Sequence, residues 1–148
     1  MRVSVQEERF ELGAEAEVFA QANNSSGAIV TFTGIVRDAD QGGLVAMEIE
    51  HYPGMTSKAL TEIAQSAMDR WSLGDAMVIH RYGRLAPGEQ IMMVATASRH
   101  RKDAFEAAEY LMDYLKSRAP FWKKEILEDG DADWVAAKDE DEDALTRW

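Results

Sequence analysis

Residues Ile91 to Ala97 (Ile-Met-Met-Val-Ala-Thr-Ala) form a run without polar alternation. A strand with one face in water alternates, so a run like this one has to be covered on both faces. The chain must therefore supply layers on either side of it. The next segment supplies one. Phe105, Ala108, Met112, Leu115 and Ala119 recur at the three-and-four spacing that gathers side chains on one helix face, with Glu106, Glu109, Asp113 and Lys116 off it. Pro120 disfavours helical geometry at Ala119 and cannot continue the hydrogen-bond ladder, so this helix is predicted to stop near Arg118.

The other elements follow from pattern and punctuation. Arg2 to Gln6 reads as a strand, and Leu12 to Ala22 as a helix with Leu12, Ala16, Phe19 and Ala22 inward. Ala28 to Val36 is β-branched and strand-like, with Gly34 marking a bulge or a close backbone approach, and Arg37 to Gly43 is a flexible loop. Leu44 to Tyr52 alternates, which places Val45, Met47 and Ile49 on one side with His51, read as a satisfied histidine at the core edge, and Glu48 and Glu50 on the other. After the Pro53-Gly54 turn, Thr56 or Ser57 is expected to cap a helix whose core face is Leu60, Ile63, Ala64, Ala67 and Trp71. Ala76 to Gly83 is another strand. Lys123 to Leu127 and Trp134 to Ala137 read as two short strands across Glu128 to Asp131. The acidic tail from about Asp139 is expected to be solvated or frayed, or docked on a partner by Trp148. Without repeat or linker, the expectation is one α+β domain over residues 1–148, a mixed sheet with packed helices.

Charge narrows the chemistry. The net charge is -11, yet from Arg99 to Lys124 seven Lys or Arg face four acids. Part of that cationic group, Arg99, His100, Arg101 and Lys102, stands at a strand-to-helix junction where the helix dipole disfavours cations. Cations placed there point to an anion site, completed by backbone N–H groups. There is no cysteine, which excludes disulfides, thiolate metal sites and a thiol nucleophile, so any sulfur chemistry needs sulfur brought by another molecule. His51, His80 and His100 lack metal-motif spacing, and no cofactor fingerprint occurs; neither metal nor cofactor is expected. The acidity argues against nucleic-acid and anionic-membrane binding. No apolar run approaches the ~20 residues that span a bilayer, and the N-terminus does not read as a signal peptide, so a cytoplasmic protein is expected.

Four stretches then stand out in order: Val30-Thr31-Phe32-Thr33-Gly34-Ile35-Val36-Arg37, Glu50-His51-Tyr52-Pro53-Gly54-Met55, Val78-Ile79-His80-Arg81-Tyr82-Gly83, and Tyr114 to Glu125 with its Lys-Ser-Arg-Ala-Pro-Phe-Trp-Lys-Lys core. Together they resemble the large, catalytic subunit of molybdopterin synthase from about Gly27 to Trp134. The resemblance implies an α/β-hammerhead fold and sulfur transfer onto cyclic pyranopterin monophosphate. It implies a small ubiquitin-like carrier subunit with a C-terminal Gly-Gly thiocarboxylate, and a homodimer within a heterotetramer. It also implies site residues: Arg37, His100 and Arg101 on the substrate anion, Lys116 at the chemistry with Lys123 as companion, Lys124 and Glu125 beside them, and Ile35 and Val36 in a binding segment.

A lysine crowded by cations is easier to deprotonate and then serves as acid, base or nucleophile. The expectation is that Lys116 does this, poised by Lys123 and Arg118. Bland readings stand beside it. Lys116 can be a surface lysine balanced by Asp113 or Glu109, Lys123 a strand-edge lysine, Arg37 a partner of Asp38 or Asp40, and Trp122 a core anchor or a stacking platform. A non-catalytic module that binds a phosphorylated metabolite or a partner's tail is the alternative function.

Overall fold

The computed structural model describes residues 1–130 and 132–148. Its strands form two four-stranded sheets. The first joins β1 (Arg2–Gln6), β4 (Asp75–Arg81), β6 (Gln90–Ser98) and β2 (Ala28–Ile35) in that order. The second joins β5 (Gly83–Leu85), β3 (Leu44–His51), β7 (Phe121–Leu127) and β8 (Ala132–Trp134). β1 and β4 are parallel, and every other pair is antiparallel.

The apolar run sits where its composition requires. β6 lies inside the first sheet with all but its first residue buried. One set of alternate residues, with Met77, Ile79, Met93, Ala95 and Ala97, packs against Phe19 of α1 (Leu12–Ala22). The other set, with Ala76, Val78 and Val94, meets α2 (Met55–Trp71) and α3 (Arg101–Arg118), which lie side by side. Thr96 faces α3 and donates its hydroxyl to the Ala104 carbonyl at 2.7 Å, tying β6 to the first turn of the helix.

Several expectations need correction. The buried residues of α3 are Ala104, Ala107, Ala108, Tyr110, Leu111 and Leu115, whereas Phe105 is 58% exposed. Small alanines let the helix axis approach the sheet, and a phenyl group there would hold it off. Val45 does not share a face with Ile49, because the β3–β7 register slips between Leu44 and Ala46 and turns Leu44 and Ala46 inward instead. Neither Thr56 nor Ser57 caps α2. The capping position is Gly54, at φ +83, while the Thr56 hydroxyl accepts from the Tyr52 N–H at 3.1 Å and donates to the Tyr52 carbonyl at 2.9 Å. The strand expected over Ala76 to Gly83 divides at Tyr82, and Gly83, at φ +92, starts β5 in the other sheet. The last strand is Ala132–Trp134 rather than Trp134 to Ala137, and Asp131 of the expected turn lies outside the described residues.

The tail is not frayed. Asp139–Ala144 form a short helix, α4, followed by a 3-10 turn, and the end of the chain docks on its own fold. Trp148 meets Trp71 and Tyr110 edge-on at 5.6 and 5.7 Å, and its indole N–H donates to Asp113 at 2.6 Å. Arg147 pairs with the same carboxylate at 2.7 Å. The apolar end of the chain finds an aromatic seat, and its charges find partners along α3.

Candidate functional site

Pro120 turns the chain from α3 into β7, and that corner brings Lys116 and Lys123 together. Lys123 is partly buried on the inner face of β7. Burial is the main cause that holds its amine below the ordinary lysine range; the Lys116 charge adds to this and Asp141 opposes it. Lys116 is more open, with its Nζ 3.9 Å from Asp141. The amine depressed by the fold is thus Lys123, and Arg118, expected to crowd Lys116, instead forms a two-pronged contact to Glu142 at 2.6 and 2.7 Å. Asp141 was missed because the acidic tail reads as solvated. Its signal was charge complementarity with the cationic stretch.

Strand alternation sorts the neighbouring residues. Lys123 and Glu125 share the inner face opposite Ile49 and Met47, while Lys124 points outward, opposite Glu48 and 5.4 Å from the Trp134 ring. Trp122 is also outward, 43% exposed and edge-on to Tyr52 at 4.8 Å, so it is not a core anchor. Phe121 turns inward and carries the His80 ring flat upon it, centroids 3.7 Å apart and 16° from parallel. His80 Nδ1 donates to the Arg81 carbonyl at 2.8 Å, and burial is the main cause that pushes its pKa down to about 3. His51 packs on Tyr82 at 4.3 Å and lies 6.3 Å from Phe121. It is not satisfied: its Nδ1 is buried without a hydrogen-bond partner among the described residues. Aromatic faces surround the ring, and none of them offers an in-plane donor or acceptor.

The anion-binding candidates do not all meet this corner. Arg37 stands at the C-terminal end of β2, exposed, with Asp40 at 3.7 Å. β2 runs antiparallel to β6, and α3, which starts just past the Ser98 end of β6, packs back along both strands, so Arg37 after the far end of β2 lies towards the Lys116 end of α3. The Val36 N–H donates to Glu89 and its carbonyl accepts from Gly88, so Val36 serves to anchor Arg37, whereas Ile35 is 56% exposed. His100 and Arg101 lie at the opposite end. Ala28 pairs with Ser98, two residues before His100, and about 23 Å of β2 separates that pair from Ile35. Along α3, the rise from Arg101 to Lys116 is about 22 Å. Arg99, His100, Arg101 and Lys102 are all exposed, and among the described residues none has an ion-pair partner. One copy of the chain therefore holds two cationic clusters at opposite ends of β2 and α3.

The sequence profile described as "MoaE protein" matches residues 5–118. A molybdopterin synthase catalytic subunit from Cereibacter sphaeroides is 67% identical over 148 residues, with all of both chains covered. The solved structure of a molybdopterin biosynthesis MoaE protein from Burkholderia ambifaria superposes with a TM-score of 0.85 at 49% identity, covering 99% of this chain and 97% of that one. A Helicobacter pylori structure, described as a complex of subunits 1 and 2 of molybdopterin-converting factor, shares the fold at a TM-score of 0.76 and 19% identity, covering 93% and 90% of the two chains.

Proposed function

The chain belongs to the MoaE family of molybdopterin synthase catalytic subunits, enzymes of molybdenum cofactor biosynthesis, and on that premise we propose the following reaction. The protein takes sulfur from the C-terminal Gly-Gly thiocarboxylate of a small ubiquitin-like carrier subunit and places two sulfurs on cyclic pyranopterin monophosphate. Each transfer forms a C–S bond on the pterin and breaks the acyl C–S bond of the carrier tail, which ends as a carboxylate with an oxygen taken from water or from the pterin oxygen that sulfur displaces. The observation that carries this reading is the Lys116–Lys123 corner, a depressed amine beside an accessible one in a chain with no thiol. The lowered Lys123 amine gives up its proton more readily than an open-chain lysine, and Lys116 holds a carboxyl-type tail where Asp141 sits in the free chain. The complex of two subunits in the H. pylori structure supports a carrier docked on this fold. Among the described residues no helix is long and apolar enough to cross a membrane, which suits a cytoplasmic enzyme.

The substrate site is assembled from two copies. β2 is a sheet edge without one charged residue (Ala-Ile-Val-Thr-Phe-Thr-Gly-Ile), and Phe32 and Ile35 are exposed along it. An unprotected edge of this kind is a template for a second strand. Two β2 strands related by a two-fold axis run antiparallel, which brings His100 and Arg101 of one copy to the Arg37, Lys116 and Lys123 end of the other. The half-sites that the fold holds apart then converge, with His100, Arg101 and Arg37 on the phosphate and Lys116 and Lys123 at the sulfur. Lys124 and Glu125 flank them on β7. The assembly is a homodimer of large subunits with a carrier at each end.

The direct test follows pterin mass during turnover with a thiocarboxylated carrier. Two sulfurs gained, with Lys116→Ala silent though folded, is the expected result. Pterin that binds but stays unchanged beside a competent carrier would favour the metabolite-binding alternative.

A further inference from the structure

Among the described residues nothing covers one face of the second sheet. Its inner side joins the core through Leu44, Ile49 and Leu85, while α2 and α3 lie on one side of the first sheet and α1 on the other. On the outer side Arg84, Glu48, Lys124 and Trp134 form a row of paired residues across β5, β3, β7 and β8. Glu50 and Trp122 make the next row, and Tyr52 stands edge-on to Trp122 at 4.8 Å. Tyr52, Trp122 and Trp134 each show about half of their surface to solvent. At roughly 200 Å² per ring, the three leave about 300 Å² of aromatic surface in water. The charges among them cancel, Glu48 and Glu50 against Arg84 and Lys124, in a chain of net charge -11. Exposed tryptophan and tyrosine among balanced charges have the composition of a protein interface, not of a solvated face. They supply the centre of the ~800 Å² that one partner gives to a stable complex.

We propose that this face seats the body of the sulfur carrier, with Trp122 and Trp134 as the anchors, and that the carrier's tail passes the Pro120 end of β7 into the Lys116–Lys123 corner. The tail has to end at Lys123, and Trp122 is the residue before it on the same strand. The other approaches to the corner are taken. α4 lies on its α3 side, with Asp141 beside Lys116 and Glu142 on Arg118, and β2 is the edge that a second copy uses in the proposed dimer. From the outer face to the inner one is about 10 Å, which roughly three extended residues span. A Gly-Gly ending suits that path, since residues without a Cβ pass closest to a backbone. The inference rests on the sulfur-transfer reading of the corner and names the surface that brings the sulfur to it.

Two variants, Trp122→Ala and Trp134→Ala, remove the anchors without opening the core. Titration calorimetry of the full chain with a carrier ending in an ordinary Gly-Gly carboxylate reads the docking. Carrier affinity is expected to fall about tenfold or more in each variant, and pterin affinity to stay at the wild-type value. A carrier cut short by its Gly-Gly is expected to bind the wild type still and to lose the same factor in the variants, because the body makes the contact. In turnover with thiocarboxylated carrier the loss is expected in the carrier KM rather than in kcat. Full carrier affinity in both folded variants overturns the proposal, as does a shortened carrier that no longer binds. A change in the oligomeric mass of the free chain in either variant would assign the face to a second copy and overturn it too. If the variants lose carrier affinity but the wild type never adds sulfur to the pterin, the sulfur-transfer reading fails and the docking surface stands.

Discussion

His80 makes this fold sensitive to acid by an amount the structure sets. Its ring is sealed between the sheets against Phe121, with a pKa of about 3 in the fold and 6.5 in the open chain. Between those values the unfolded state binds a proton that the native state refuses, so stability rises with pH through this window and is lost as pH falls below 6.5. At pH 5 the unfolded imidazole lies about 1.5 units below its pKa, while the folded one remains neutral. At about 1.4 kcal/mol per unit, acidification from pH 7.5 to 5 costs about 2 kcal/mol from this one group. Asn places an amide N–H where Nδ1–H now donates to Arg81, so His80→Asn keeps the bond and removes the titration. Urea unfolding of both proteins at the two pH values isolates the effect. The wild-type loss is expected to exceed that of the variant by about 2 kcal/mol. Equal losses would show that the ring is not held neutral and would refute the burial argument.

Other consequences are simpler to read. A Cβ at Gly27 would collide with the Arg99 carbonyl oxygen, so Gly27→Ala is expected to push the His100–Arg101 turn outward, lower the melting temperature and raise the pterin KM, as calorimetry and steady-state kinetics would show. Trp148→Ala removes the aromatic seat on Trp71 and Tyr110 together with the bond to Asp113; a loss of about 1 to 3 kcal/mol in chemical denaturation is expected, with earlier proteolysis of the acidic tail. Thr96→Val removes the hydroxyl bond to the Ala104 carbonyl, which keeps its helical partner, and is expected to cost about 0.5 to 1.5 kcal/mol with no change in KM.

Much of this architecture is legible in the chain. The apolar run of β6, the Pro120 stop of α3 and the bulge after Gly34 follow from period and punctuation, which are local. Local pattern fails where a distant partner decides. Phe105 has the spacing of a core residue, but the approach of α3 to the sheet favours alanines and turns the phenyl group out. Val45 continues an alternation that a slip against β7 reverses. The acidic tail looks solvated because the aromatic seat for Trp148 is built from α2 and α3, neither of which is near it in sequence. At the site, the pairing of Lys116 with Lys123 came from the family resemblance, because the residues alone read equally as a surface lysine and a strand-edge lysine on either side of Pro120. The depression of Lys123 and the orphaned nitrogen of His51 depend on burial, which spacing does not report.

In the proposed dimer each copy holds half of each substrate site. Two folded variants of low activity, Lys116→Ala and Arg101→Ala, can be mixed, allowed to exchange subunits and assayed with thiocarboxylated carrier at subsaturating pterin. Half of the reassorted dimers are mixed, and each mixed dimer has one intact site, so recovery to about one quarter of wild-type activity is predicted. Activity no greater than the sum of the two variants, in dimers shown to have exchanged, would mean that each copy works alone and would contradict the account.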